Sequence, residues 1–217
     1  MGAIVVTRKG FALPNGKPVD VDREFFLLMQ VFDEKASFYF EQNVETYIPD
    51  QVGNAALFSS FPFTQSTLRR HINGYQYSNI PNITMATGER VRWYVLALGA
   101  ERDVHTAHWD GQTLVTVGGV RVSGDIVFPA KAIVLEMIPD QVGTFEFSCH
   151  VNTHYPAGML GLYTIEEGEF YNPERNFATS FDPIEGLFDK VFPQSSDSAI
   201  LSSSLLVLFA ALLAVFM

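Results

Sequence analysis

Cysteine and positive charge are scarce in this sequence. Its 217 residues include one cysteine, Cys149, and only 14 Lys and Arg against 24 Asp and Glu, a net charge of -10. A single cysteine excludes an intramolecular disulfide framework, so the thiol is either inert core or chemistry. The acidic balance repels phosphate backbones and leaves no basic stripe, which argues against nucleic acid as a partner. A secretion signal is also missing from the start. Between Met1 and Gly10 the apolar Ile4, Val5 and Val6 precede Arg8 and Lys9, the wrong order and too short a run. Gly2 makes no myristoylation site, because Val6 stands where the pattern needs Ser or Thr. There is no internal repeat.

What the chain does have is apolar residues, 47% of the total, enough for one substantial core with extensions rather than two complete domains. Glu24 to Phe32, Val91 to Leu98 and Ile133 to Ile138 are apolar runs of strand length. Thr144 to Cys149 alternates, so Phe145, Phe147 and Cys149 are expected on one inward face and Thr144, Glu146 and Ser148 on the other. Turn signals at Asn73-Gly74, Gly118-Gly119, Ser123-Gly124 and Asp140 to Gly143 punctuate the strands closely, as in an all-β sandwich. Asn43 to Asp50 is expected to hold a helical turn. Residues 167–198, rich in Pro, Asn, Asp and Ser, read as an irregular linker. Residues 199–217 form an uncharged tail, wholly apolar from Leu205 to Met217 and preceded by Ser195-Ser196-Asp197-Ser198. That layout fits a GPI-attachment signal, with a single C-terminal membrane span as the competing reading.

The stretch with most chemistry is Cys149-x4-His154-x4-Met159. A soft thiolate, an imidazole and a thioether are the ligand types that suit a copper ion cycling between Cu(I) and Cu(II). A strand that ends at Cys149 and turns into a loop can return His154 and Met159 to one point. The segment His105-Thr106-Ala107-His108 supplies a second imidazole, giving His105, Cys149, His154 and Met159 as a type 1 copper set. Two alternatives stay open: a zinc ion held by one thiolate and two histidines, and a chance grouping of core and surface residues.

The segments His105-Thr106-Ala107-His108-Trp109-Asp110-Gly111 and Cys149-His150-x3-His154-x4-Met159 resemble the C-terminal cupredoxin domain of ceruloplasmin-like multicopper oxidases. The likeness extends through Glu24-Phe25-Phe26-Leu27-Leu28, Val31-Phe32-Asp33-Glu34 and His71-Ile72-Asn73-Gly74 to Ile165. It implies a Greek-key, plastocyanin-like cupredoxin β-sandwich over residues 19–166. Residues 1–18 would then be the closing strand of a preceding domain with its linker, 167–198 the linker and 199–217 the tail. In such oxidases the domain also contributes four histidines to a trinuclear copper cluster. Here His108 and His150 match that pattern, whereas Asp110 and Ser148 stand where the other two histidines would be. His108 and His150 are thus residual cluster ligands or relics held by hydrogen bonds. His71 matches a substrate-side iron residue, while Ser66 and Thr153 replace acidic residues of the ferroxidases.

The resemblance implies copper as cofactor and one-electron transfer as function. Two alternatives are an oxidase or ferroxidase whose cluster another domain completes, and a non-enzymatic binding or adhesion module. The implied partners are preceding cupredoxin domains or another copy, an electron donor or acceptor, and a membrane reached through the tail. The expected place is the extracellular face of the plasma membrane, and the sequon Asn82-Ile83-Thr84 fits a glycoprotein there. Because such an anchor needs the secretory route, the missing signal peptide suggests a piece of a longer gene product or a truncated gene model.

Overall fold

A computed structural model describes residues 3–99 and 103–168, all within the first of two compact units, Met1–Phe177 and Ala178–Met217. Nearly all of the expected linker and the whole apolar tail lie outside the described residues. Among the described residues no helix is long and apolar enough to cross a membrane.

Alternating and continuous apolar runs fold into two packed sheets. The first contains β1 (Arg23–Asp33), β2 (Leu68–Ile72), β4 (Val91–Leu98), β6 (Leu114–Thr116), β7 (Arg121–Val122) and β9 (Ala132–Met137), in the order β2-β1-β4-β9-β6-β7. The second contains β3 (Thr84–Ala86), β5 (His105–Trp109), β8 (Gly124–Val127), β10 (Gly143–Cys149) and β11 (Leu160–Glu166), in the order β3-β11-β10-β5-β8. From β3 onward the chain repeatedly changes sheet, through β4, β5, β6, β8, β9 and β10. That is the expected Greek-key sandwich. The apolar run Val91 to Leu98 is β4 without a shift of either end, because it lies between β1 and β9 and is covered by neighbours.

Trp93 of β4 sits at the centre of the core, with ring centroids 5.4 Å from Trp109 and 6.0 Å from both Phe147 and Tyr163. Leu27, Met29, Leu135 and Met137 from the first sheet join Ala107, Cys149, Met159 and Ile165 from the second in the same cluster. Burying each large apolar side chain there contributes about 1.5–3 kcal/mol relative to leaving it exposed. On the outer side of the first sheet Arg92 donates to both Asp20 and the buried Glu136, which satisfies the charges that strand packing desolvates.

Several expectations change in detail. The helical turn expected at Asn43 to Asp50 is part of a longer helical excursion: α1 (Phe40–Tyr47), a 3-10 turn (Pro49–Gln51), α2 (Ala55–Phe58) and α3 (Phe61–Thr67). Asn54 and Ser60 side chains accept hydrogen bonds from Leu57 and Phe63 amides as helix caps, and Phe40, Phe58 and Phe63 pack their rings together. At Ser123-Gly124 the bend is Ser123 alone, and Gly124 already begins β8. Residues 3–10 form no strand, and the side chains of Ile4 and Val6 are exposed.

Candidate metal centre

The pleat of two neighbouring strands builds the site. In β5, His105, Ala107 and Trp109 are buried, while Thr106 and His108 point the other way. In β10, Phe147 and Cys149 face inward beside them, since Cys149 pairs with Ala107 and Phe147 with Trp109. Beyond Cys149 the chain turns at once. His154 and Tyr155 amides donate to the Val151 carbonyl, the Gly158 amide donates to Tyr155, and the Met159 amide returns to His154 at 3.1 Å. The Cys149 amide donates to the Met159 carbonyl at 2.9 Å, so the loop closes with Met159 beside Cys149.

A second loop fastens this one. Gln76 Nε2 donates to the Ala157 carbonyl at 2.8 Å, and the Tyr77 and Ser78 amides donate to Gly158 and Leu160. Gly158 has φ +91°, and a Cβ there would lie 2.8 Å from the Tyr77 ring. Sequence reading missed Gln76 and Tyr77, and the Asn73-Gly74 turn before them is the only local signal of that loop. His71 Nδ1 accepts the Gly74 amide at 3.0 Å, so the residue matched to a substrate-side role also holds this turn.

The result is a buried triangle. His105 Nδ1 and His154 Nδ1 are 3.2 Å apart, and Cys149 Sγ is 3.8 Å from the first and 3.6 Å from the second. One ion with bonds of about 2.0–2.3 Å to imidazole nitrogen and thiolate sulfur imposes donor separations of about this size. His105, Cys149 and Met159 have no exposed surface, and His154 is 7% exposed. Burial pushes the Cys149 thiol up. It pushes His105 down to about 4, helped by His154 and His71, and lowers His154 with help from Arg70. All three groups are therefore neutral at neutral pH without a cation. A metal ion supplies the charge that lets Cys149 ionise, and two neutral imidazoles are the form that ligates. Two histidines and a cysteine in a trigonal arrangement are the donor set of blue-copper sites, so these residues fit copper.

The other face of the same strands carries a second group. His108, Asp110 and His150 bring one donor atom each within 4.8 Å of one another. The His108 and His150 rings stack at 4.0 Å, and His108 Nδ1 lies 3.1 Å from Asp110 Oδ1, close but without hydrogen-bond alignment. Ser148 pairs directly with His108 in the ladder, and its hydroxyl is buried without a hydrogen-bond partner. Thr153 is exposed in the ligand loop, and Ser66 on α3 is exposed with its hydroxyl donating to the Phe63 carbonyl. Asn82 is exposed in the loop before β3.

The family model of multicopper oxidases matches residues 47–169, more than half of the chain. Among known proteins, hephaestin of Mus musculus is 38% identical over 167 residues, covering 76% of this chain and 14% of that protein. Ceruloplasmin of Homo sapiens is 36% identical over 186 residues, covering 82% of this chain and 17% of that protein. A ferroxidase of Mus musculus is 31% identical over 167 residues, 76% of this chain and 14% of its own. The chain thus spans about one-seventh of the length of such relatives. With the matched segment containing every residue of both clusters, the chain belongs to the multicopper oxidase family, and its cofactor is copper.

Proposed function

We propose that residues 19–166 are a cupredoxin domain that binds one copper ion through His105, Cys149, His154 and Met159 and relays single electrons. The observation that carries this reading is the buried triangle of two imidazole nitrogens and one thiol sulfur, with sides of 3.2, 3.6 and 3.8 Å. Copper in that position would supply a one-electron Cu(II)/Cu(I) couple. The chain's own contribution is geometric and electrostatic. β5 and β10 fix His105 and Cys149 as neighbours in a rigid sandwich, the 150–159 loop carries His154 to them, and full burial keeps solvent away from the donors. Cys149 gives up its proton on metal binding, and burial of the thiol makes that ionisation unfavourable without the cation. Donors held in one arrangement limit rearrangement between the two oxidation states, which favours fast electron transfer. His150, joined to Cys149 through one peptide bond and exposed, offers a covalent route from the pocket to the surface.

Zinc remains distinguishable by colour. Metal-stripped full-length protein titrated with Cu(II) should develop intense visible absorption from the Cys149 thiolate. A protein that binds Cu(II) without colour, or that takes up zinc only, would sink this reading.

A second reading is oxidation of ferrous iron coupled to oxygen reduction in a larger protein, since one relative carries the name ferroxidase. His71, half-buried on β2, is the residue this reading places on the substrate side. Oxygen consumption driven by Fe(II) in the complete assembly tests it; a copper-loaded assembly that exchanges electrons with a redox dye but consumes no oxygen counts against it. We also place the domain on the extracellular face of the plasma membrane, held by residues 199–217 through a GPI anchor or a span. The exposed sequon asparagine, Asn82, supports that side. Release by a phosphatidylinositol-specific phospholipase separates the two forms of anchoring.

A further inference from the structure

With the Cys149 pocket read as a copper site, we propose that the buried guanidinium of Arg70 sets its reduction potential, as a fixed positive charge on the His154 side that favours Cu(I). β2 is an edge strand of the first sheet, and its residues alternate: Arg70 and Ile72 are buried, whereas Arg69 is exposed and His71 half-buried. In the register with β1, Arg70 pairs with Val31 and Ile72 with Met29. Ile72 and Met29 belong to the core cluster that holds Cys149 and Met159, and Val31 packs against it. Arg70 therefore occupies an inward position in rows that are otherwise apolar.

The same strand is tied to the ligand loop. Gln76 Nε2 donates to the Arg70 carbonyl at 3.2 Å and to the Ala157 carbonyl at 2.8 Å, so one side chain joins β2 to the segment that carries His154. The guanidinium itself is held by Nη2 donating to Gln65 Oε1 at 2.9 Å and Nη1 donating to the Leu68 carbonyl at 3.4 Å. Both acceptors are uncharged, and Nε is buried with no hydrogen-bond partner. Neither contact cancels the positive charge, and at 8% exposure solvent screens it little. The charge is felt in the pocket: Arg70 acts on the His154 imidazole more strongly than Asp103, which opposes it.

A guanidinium is always charged, and on an apolar row it costs stability that an apolar side chain of similar volume would not. What it supplies in return is electrostatic. When a one-electron donor reduces bound Cu(II), one electron enters, the charge of the ion falls by one and Cys149 remains a thiolate. Repulsion from Arg70 is then smaller, so the guanidinium stabilises Cu(I) relative to Cu(II). At an effective dielectric constant of about 20, a unit charge within roughly 10 Å shifts such a balance by about tenfold or more, which for one electron is about 59 mV. The pocket therefore takes electrons from weaker one-electron reductants than the same ligands would without Arg70.

Redox titration of the copper-loaded full chain, followed by its visible band in the presence of mediator dyes, tests this. Arg70→Gln should lower the potential by about 59 mV or more. Its visible band should persist, which reports that ligands and fold are intact. Arg70→Lys keeps a positive charge and should recover about half of that loss or more. Asp103→Asn removes the opposing charge and should raise the potential by less than Arg70→Gln lowers it. Should Arg70→Gln lose its band, Asp103→Asn decides: a rise supports the proposal, and an unchanged or lower potential overturns it. Wild-type protein that stays colourless with Cu(II) would sink the copper reading and this proposal with it. Coloured protein whose potential is unmoved by Arg70→Gln, or falls equally in Arg70→Gln and Arg70→Lys, would overturn the proposal and leave the copper reading standing.

Discussion

Two three-residue clusters occupy opposite faces of β5 and the end of β10, and they differ in what holds their donors. His105, Cys149 and His154 are buried and sit within 3.8 Å of one another. His108, Asp110 and His150 are half-buried to exposed and spread over 4.8 Å. Core packing sets the first geometry, whereas the second depends on backbone anchoring and free rotation of surface side chains. Moving one residue along a strand thus changes a neutral, solvent-free pocket into an open, partly anionic one. Side-chain alternation, not separate machinery, produces the two environments.

The largest expected break in that comparison is Cys149→Ser. It should remove the visible charge-transfer band completely, as measured by absorption of copper-loaded protein. The outer cluster should be unaffected, because none of its donors comes from Cys149. Next in size is Gly124→Ala. A Cβ there would lie 2.2 Å from the Ala107 carbonyl oxygen, between β8 and β5. The forced shift of β5 should cost about 1–3 kcal/mol in chemical denaturation. It should weaken copper uptake by the Cys149 pocket, since β5 carries His105.

A pH titration separates the faces more gently. His105 titrates near 4 in the folded protein instead of its ordinary 6.5, because burial opposes its charge. The unfolded chain then binds more protons between those values, so metal-free protein should lose stability as pH falls from 6.5 towards 4. Thermal melts across that window should show the loss. His105→Gln should reduce it, leaving the part due to His154, and copper loading should delay it. His108, whose pKa burial and His150 lower while Asp110 opposes them, should change the profile less than His105 does when replaced by Gln. The smallest effect is expected from Asp110→Asn: a change within about 0.5 kcal/mol in stability, with the visible band intact.

Much of the inner cluster was legible in the sequence. The alternation of Thr144 to Cys149 places Cys149 inward, and the even spacing of Cys149, His154 and Met159 marks a strand end followed by a returning loop. Val91 to Leu98 was legible because a central strand buried on both sides is a continuous apolar run. The same rule fails at Ser148, expected on the outer face and nevertheless buried. There β10 lies between β5 and β11, and neighbours cover that face too. Asp110 reads in sequence only as a replaced ligand; its carboxylate lies beside His108 because the two are two residues apart and share a side of the chain. Beyond the turn expected at Asn43 to Asp50, the helices up to Thr67 escaped notice because they are short, rich in Phe and held by caps and ring contacts rather than by a 3.6-residue apolar stripe.

The central claim is that the buried triangle is a copper site. Visible absorption of the metal-stripped full chain during Cu(II) addition tests it most directly. The account predicts an intense thiolate-to-copper band that bleaches on reduction and returns on reoxidation. A protein that binds copper yet stays colourless would contradict it.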